Sequence, residues 1–398
     1  YRSYAKSISP DVCISANNFD AVMRPSYLIY GIDLKALSSV QDIIMIEDYG
    51  LPVFDLHPPA RLVNNALTIR TARALVKSTP ISVDPYDRGI GFDSVFPARR
   101  YLQGIAESVA CDASMVSKGT EFVDKGIFTL LTAPQYYETR REIGRYHAWL
   151  EQHLNLFTDR INRAPLALLY PGDHLWQDWP RLAPRFFGAC QALLASGIPW
   201  KVILPDDDCD GLQAIVVCSG THDRPGATSD IPIISLDNLP AWAPSTNNQP
   251  AFLNHLFSSS ISALLNNAIR AYFNSRLARR LMDLAGVMRL FTGTPLYNLP
   301  TRTRQSSLVA ALPPDIFPRV HAKKPVLIEV WERSGIEEIH LVNYAGHDQQ
   351  ITVDFGVPRA VQILSPDHPA QLLSPAASIE FKLDIFAILT ARPYGSSI

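Results

Sequence analysis

Two rhythms of apolar residues alternate along the first 155 positions. Short β-rich runs each stop at polar residues, and stretches with apolar residues three or four apart lie between them. Val12-Cys-Ile-Ser-Ala runs into Asn17, Asn18 and Phe19. Asp42-Ile-Ile-Met-Ile is nearly all apolar, as a strand covered on both faces must be, and ends on Glu47, Asp48 and Tyr49. Thr79-Pro-Ile-Ser-Val ends on Asp84, because Pro85 cannot donate to a ladder and the stretch beyond Tyr86, from Asp87 to Gly91, is turn chemistry. Ala113-Ser-Met-Val-Ser leads to Lys118, Gly119, Thr120 and Glu121. Helical spacing links Leu62, Ala66, Ile69, Arg73 and Val76, then Phe96, Leu102, Ile105, Ala106 and Val109, then Ile143, Tyr146, Leu150 and Leu154. Residues 1–155 therefore read as four strand-helix repeats, with 27–37 helical or irregular.

The alternation continues in a second unit, predicted over 163–300. Leu166 to Tyr170, Trp200 to Leu204, Ala214 to Cys218 and Ile231 to Ser235 are its strands. A helix through Leu182, Phe186, Cys190, Leu193 and Leu194 stops at Gly197, and a long helix is expected from Ala251 to Leu284. This is a flavodoxin-like α/β pattern, and it lacks both GxGxxG and GxxxxGK[ST], so no dinucleotide or phosphate cradle is expected. The proline- and threonine-rich stretch from Pro295 to Pro318 reads as a linker. Over 320–398 the period changes to two: Val326 to Arg333, Glu338 to Tyr344, Gln350 to Phe355, Ala360 to Leu364 and Phe381 to Leu389 predict a small antiparallel β-sandwich.

Polar residues close all four early strands: Asn17 and Asn18, Glu47 and Asp48, Asp84, then Lys118 and Glu121. In a (β/α)8 barrel that rim carries the chemistry. Four repeats close no barrel, so the simplest expectation is the C-terminal half of one, its first four strands lying upstream of Tyr1; the alternative is an open α/β sheet with its crevice at the same strand ends.

Composition narrows the classes. A formal net charge of -2, 47% hydrophobic and 19% charged residues describe a globular chain without the basic face of a nucleic-acid binder. Five widely spread cysteines without a CxxC pair imply free thiols rather than a disulfide frame or a zinc site. No apolar run reaches the length of a membrane span and no signal-peptide pattern is present, so a cytoplasmic protein with no membrane partner is the expectation, with secretion the open alternative because the sequence starts at Tyr1 without Met. No metal or cofactor is expected.

The order of parts resembles glycoside hydrolase family 42, the barrel β-galactosidases with a trimerisation domain. Ile14-Ser-Ala-Asn-Asn-Phe is similar to the family's fifth barrel strand, Asp42 to Tyr49 to the sixth, and Ala113 to Phe122 takes the place of the eighth. Ala167-Leu-Leu-Tyr-Pro-Gly-Asp resembles the opening of the middle domain, and His340-Leu-Val-Asn-Tyr the C-terminal sandwich. The resemblance implies a carbohydrate substrate, a homo-oligomer such as a trimer, and a nucleophile at Asp84. Two departures stand out: the family nucleophile is a Glu, and the family's acid/base lies on strand four, which this chain lacks. Residues 1–398 alone are then expected to be inactive.

The expected function is hydrolysis of a glycosidic bond by a carboxylate pair, one member coming from upstream. Asp84, Glu47 and Glu121 are the catalytic candidates; Asn17, Asn18, Asp48, Tyr49, Tyr86 and Lys118 are the substrate-binding ones. Glu47 and Asp48 are adjacent and point to opposite faces, so only one enters the barrel mouth. A non-catalytic carbohydrate-binding or assembly protein is the second reading. Trp176 and Trp179 read as a domain contact, and Leu175, Trp176 and Trp179 as an apolar loop for assembly. Cys218-Ser-Gly-Thr-His222 is a rival nucleophile pair on paper, but without a Gly-flanked elbow it reads as a structural thiol.

Overall fold

The structure, a computed structural model, describes residues 1–19, 31–48, 65–85, 98–116, 120–122, 128–130, 134–219, 230–242 and 302–393. Tyr49, Tyr86, Lys118, His222 and the helix expected over 251–284 lie outside the described residues.

The first unit runs α1 (Arg2–Ile8), β1 (Asn17–Phe19), α2 (Leu34–Leu37), β2 (Ile44–Asp48), α3 (Ala66–Val76), β3 (Ile81–Pro85), α4 (Ala98–Ala110) and β4 (Ser114–Met115). Its four strands form one parallel sheet in the order β1-β2-β3-β4. One face of that sheet is dry: Ile44, Ile46, Ile81 and Val83 are buried against Ile69 and Ala72 of α3 and Leu102, Ile105 and Ala106 of α4. The first strand starts later than its apolar run implies. Residues 12–16 carry no ladder; instead Asp42 accepts from Ile14 N at 2.9 Å and pairs with Arg2 (2.8 Å) and Lys6 (3.0 Å). The Arg2 guanidinium, the Ile14 amide and Lys6 together hold the Asp42 carboxyl far below the usual carboxylate range.

β4 is also shorter than expected. After it, β5 (Thr120–Phe122) and β6 (Phe128–Leu130) pair with each other antiparallel, outside the four-stranded sheet. Glu121 therefore belongs to a hairpin that follows β4, not to β4 itself. α5 (Tyr137–Gln152) and β7 (Ile161–Asn162) end this region.

The middle unit holds β8 (Leu166–Leu169), α6 (His174–Gln177), α7 (Trp179–Ala195), β9 (Trp200–Ile203), β10 (Ala214–Val217) and β11 (Ile233–Ser235). Its parallel strands are ordered β11-β10-β8-β9 and are apolar on both faces, as a doubly covered sheet requires. Leu175 is fully buried and Trp176 packs on the same core, so this stretch is a helical part of the interior rather than an apolar assembly loop.

The expected linker contains a helix, α8 (Arg302–Ala311), whose Leu308 is fully buried and whose Arg304 carbonyl accepts from the Trp242 indole at 2.9 Å. The C-terminal unit follows as β12 (Arg319–Ala322), β13 (Val326–Arg333), β14 (Ile336–Asn343), β15 (Gln349–Leu364), β16 (Gln371–Leu383) and β17 (Phe386–Pro393), an antiparallel sheet that also recruits β7 beside β13. Two expected strands merge into β15, which bends through register shifts between Asp354 and Val361. Gly356 at the bend has φ +71°, and a Cβ there would stand 2.7 Å from the Phe317 ring. Conversely, the single strand expected over 381–389 is two. Asp367 accepts from both Ile385 N and Phe386 N at 3.1 Å and so diverts the chain into a turn.

The three units share buried polar contacts. Arg70 of α3 pairs with Glu329 of β13 at 2.6 Å and lies over the Trp200 ring of β9 at 3.9 Å. Burial alone would depress the Arg70 guanidinium, but the charge and hydrogen bond of Glu329 together with Cys111 and Tyr344 outweigh it, and the net shift is upward. Glu107 of α4 accepts from Asn65 N (2.9 Å), Asn65 Nδ2 (3.1 Å) and Ala66 N (3.2 Å), placing a carboxylate on the N-terminus of α3. Gly197 approaches Val320 so closely that a Cβ would sit 2.1 Å from its carbonyl oxygen, while Val320 N donates to Gly197 O at 2.8 Å.

Candidate active site

The site follows from register. Along β2, Met45 and Glu47 alternate with Ile44, Ile46 and Asp48; along β3, Ser82 and Asp84 alternate with Ile81 and Val83. The ladder sets Met45 beside Ser82 and Glu47 beside Asp84, with Asn17 beside Met45 on β1 and Ser114 beside Ser82 on β4. In-register residues on neighbouring parallel strands face the same side, about 4.8 Å apart. The sheet thus has one apolar face packed under helices and one face carrying Asn17, Met45, Glu47, Ser82, Asp84 and Ser114.

That second face is open in part. Asn17 and Ser114 are exposed, Met45, Glu47 and Ser82 are half-buried, and only Asp84 is closed off, at 5% exposure. Two carboxylate-bearing residues from different repeats consequently lie in register at the C-terminal ends of adjacent strands. A carboxylate pair of this kind is what acid-base chemistry on an acetal needs: one group ionised, the other able to hold or exchange a proton.

The remaining candidates separate from this pair. Asn18 lies on the apolar face at 2% exposure, and its amide donates to Ala16 O (2.9 Å), Gln41 Oε1 (3.1 Å) and Met45 O (2.9 Å). Those bonds tie β1 to the turn before β2, so Asn17 is the asparagine on the open face. Asp48 is the last residue of β2, in register with Pro85. Glu121 pairs across its hairpin with Thr129. Sequence reasoning passed over Ser82 and Ser114; counting back by twos from Asp84 gives the first, but no sequence signal gives the second.

The surroundings of Cys218 do not activate it as a nucleophile. It is buried, and burial pushes its thiol up to about 12, against the opposing pull of Arg185. Among the described residues no group of three His, Cys, Asp or Glu is placed to hold a metal ion, and no helix is long and apolar enough to cross a membrane.

No family model and no curated protein matches the chain in sequence. Solved structures do match its shape. β-Galactosidase from Bacillus circulans sp. alkalophilus aligns with 98% of this chain at a TM-score of 0.60 and 12% identity. Gan42B, a GH42 β-galactosidase from G. stearothermophilus, aligns with 98% at 0.53 and 10%. The chain has a divergent GH42-like α/β fold. Alpha-L-fucosidase isoenzyme 2 from Paenibacillus thiaminolyticus is similar too, at a TM-score of 0.52 and 11% identity over 98% of this chain. The GH42-like chain spans 65% of the length of each β-galactosidase and 69% of the fucosidase.

Proposed function

We propose that this chain is the glycan-hydrolysing part of a GH42-like glycosidase, with Asp84 as nucleophile or base and Glu47 beside it. The observation that carries the reading is the Glu47–Asp84 register pair at the strand ends of the open face. A retaining pair of carboxyl groups stands roughly 5 to 5.5 Å apart, and Asp84, one methylene shorter than Glu, would open its distance to the upstream acid toward the inverting geometry, with Glu47 on the next strand about 4.8 Å to its side.

The four parallel strands in sequential order support reading 1–155 as the C-terminal half of a (β/α)8 barrel. On that reading four more repeats cover the open face, a strand among them supplies the general acid, and Glu121 reaches the same rim from the hairpin after β4. Asn17, Tyr49, Tyr86 and Lys118 would then contact the sugar. The order β9-β8-β10-β11, which is 2-1-3-4 along the chain, supports a flavodoxin-like middle unit over 163–300, and the antiparallel strands a sandwich over 320–398. A homotrimer rests on the fold resemblance alone, and light scattering that gives a monomer at micromolar concentration would remove it.

The test is Asp84→Asn in the chain together with four upstream repeats. Hydrolysis of an aryl β-galactoside should fall by orders of magnitude with the fold unchanged, because the carboxylate charge stabilises an oxocarbenium-like transition state. Turnover retained by the variant would sink the assignment.

A further inference from the structure

A recess of about 460 Å³ lies between the C-terminal turn of α5 and the β15–β16 loop, lined by Trp149, His153, Pro366, Asp367, His368 and Pro369 among others. It is built from the C-terminal unit and α5, with no contribution from the strand ends that carry Glu47 and Asp84. Its volume falls within the range of small-molecule sites.

The walls are held by rings and hydrogen bonds of defined chemistry. The Trp149 indole and the His153 imidazole stack, with centroids 4.4 Å apart at 24°, and Phe386 meets Trp149 edge-on at 6.0 Å. His153 Nδ1 lies 2.8 Å from Trp149 O. A carbonyl only accepts, so Nδ1 donates to it and Nε2 is left for a ligand. Asp367 is already engaged: it accepts from Tyr146 OH at 2.7 Å and from Ile385 N and Phe386 N at 3.1 Å, and Arg145 stands 3.3 Å away. Ser365 is engaged too, its hydroxyl donating to Phe386 O at 2.7 Å and accepting from Asp367 N at 3.0 Å. No Lys or Arg lines the recess. It therefore offers flat ring faces and imidazole nitrogens, with its one carboxylate charge spent on the scaffold.

We infer that this recess is a non-catalytic subsite for one pyranose unit of a neutral glycan. A pyranose has an apolar C–H face that lies against aromatic and proline rings, and hydroxyls that both donate and accept around its rim. The loop prolines and the four donors on Asp367 fix the site before binding, which lowers the ordering cost. The choice of a sugar over other neutral ligands rests on the glycosidase reading above; the geometry of the recess does not.

The experiment titrates the full chain with β-1,4-galactotetraose, read by tryptophan fluorescence and by saturation-transfer NMR, with a proline-rich decapeptide as the competing probe. Trp149→Ala should weaken saccharide binding by about tenfold, the scale of one aromatic contact. Because Trp149 also packs on Phe386, half-exposed His153→Ala serves as the second variant and should weaken it as well. Absence of saccharide binding at millimolar concentration, binding unchanged in both recess variants, or binding of the peptide in place of the saccharide would each overturn the inference. Loss of turnover in Asp84→Asn, measured with the four upstream repeats present, against loss of saccharide binding in the recess variants separates the two sites. Recess binding with no turnover even when those repeats are present would leave the subsite standing and remove the glycosidase reading.

Discussion

The Arg70–Glu329 pair is where the cohesion of the three units can be measured. Both side chains are nearly inaccessible, at 5% and 1% exposure, and their atoms meet at 2.6 Å. Around Glu329, Cys111 Sγ donates to Oε1 at 3.2 Å and Asn162 Nδ2 to Oε2 at 3.2 Å; around Arg70, Nη2 donates to Ile328 O at 3.1 Å. Glu329→Gln keeps the shape but turns one acceptor into a donor, which then opposes either the guanidinium or Asn162. It also strands a buried cation. At an effective dielectric of about 20 and charge centres about 4 Å apart the attraction is worth about 4 kcal/mol, and breaking one partner of a buried pair costs about 3 to 5 kcal/mol. That is a large share of the roughly 5 to 15 kcal/mol that holds a folded protein together. Urea unfolding followed by tryptophan fluorescence, which reads Trp200 beside Arg70, should show this loss for Glu329→Gln and a similar one for Arg70→Met. Arg70→Met combined with Glu329→Gln removes both charges and should recover several kcal/mol relative to the sum of the singles. A single substitution costing less than about 1 kcal/mol, or singles that add within about 0.5 kcal/mol, would refute the argument.

Three further outcomes are expected. Gly197→Ala should cost more than about 1 kcal/mol by thermal unfolding, because φ is +68° and the new Cβ would strike the Val320 carbonyl; an unchanged midpoint would contradict this. His340 is fully buried and its ring is depressed to about 4 by burial, so the unfolded chain binds its proton first. Its contribution is complete above its ordinary value of about 6.5 and is lost as pH falls from there toward 4. Urea midpoints should decline over that window in the parent and decline less in His340→Phe. Iodoacetamide at neutral pH should label exposed Cys13 and leave Cys218 intact in the folded protein, as mass spectrometry of the labelled chain will show; rapid labelling of Cys218 would reopen its role as a nucleophile.

The chain's own pattern determined the alternation of elements and where most strands end. Apolar runs closed by polar residues place β2, β3, β8, β9 and β10 within a residue or two, and helical spacing gives α3, α4, α5 and α7, because each of these periods is written in neighbouring residues. It also brought Glu47 and Asp84 forward as strand-end carboxylates. What it could not reach are relations between distant segments. Whether Glu47 or Asp48 stands beside Asp84 is a matter of register, which a shift of one residue would invert. Asn18 reads like Asn17 until Gln41 and Met45 take its amide inside. The Ser114 position, the hairpin that carries Glu121, the turn that Asp367 imposes between β16 and β17, and the strand β7 lent to the C-terminal sheet all depend on partners far away in sequence. The Arg70–Glu329 pair spans 259 positions. Local periodicity encodes which face of an element is apolar; only packing decides what that face meets, and therefore which polar residues are enclosed as structure and which remain on the open face for chemistry.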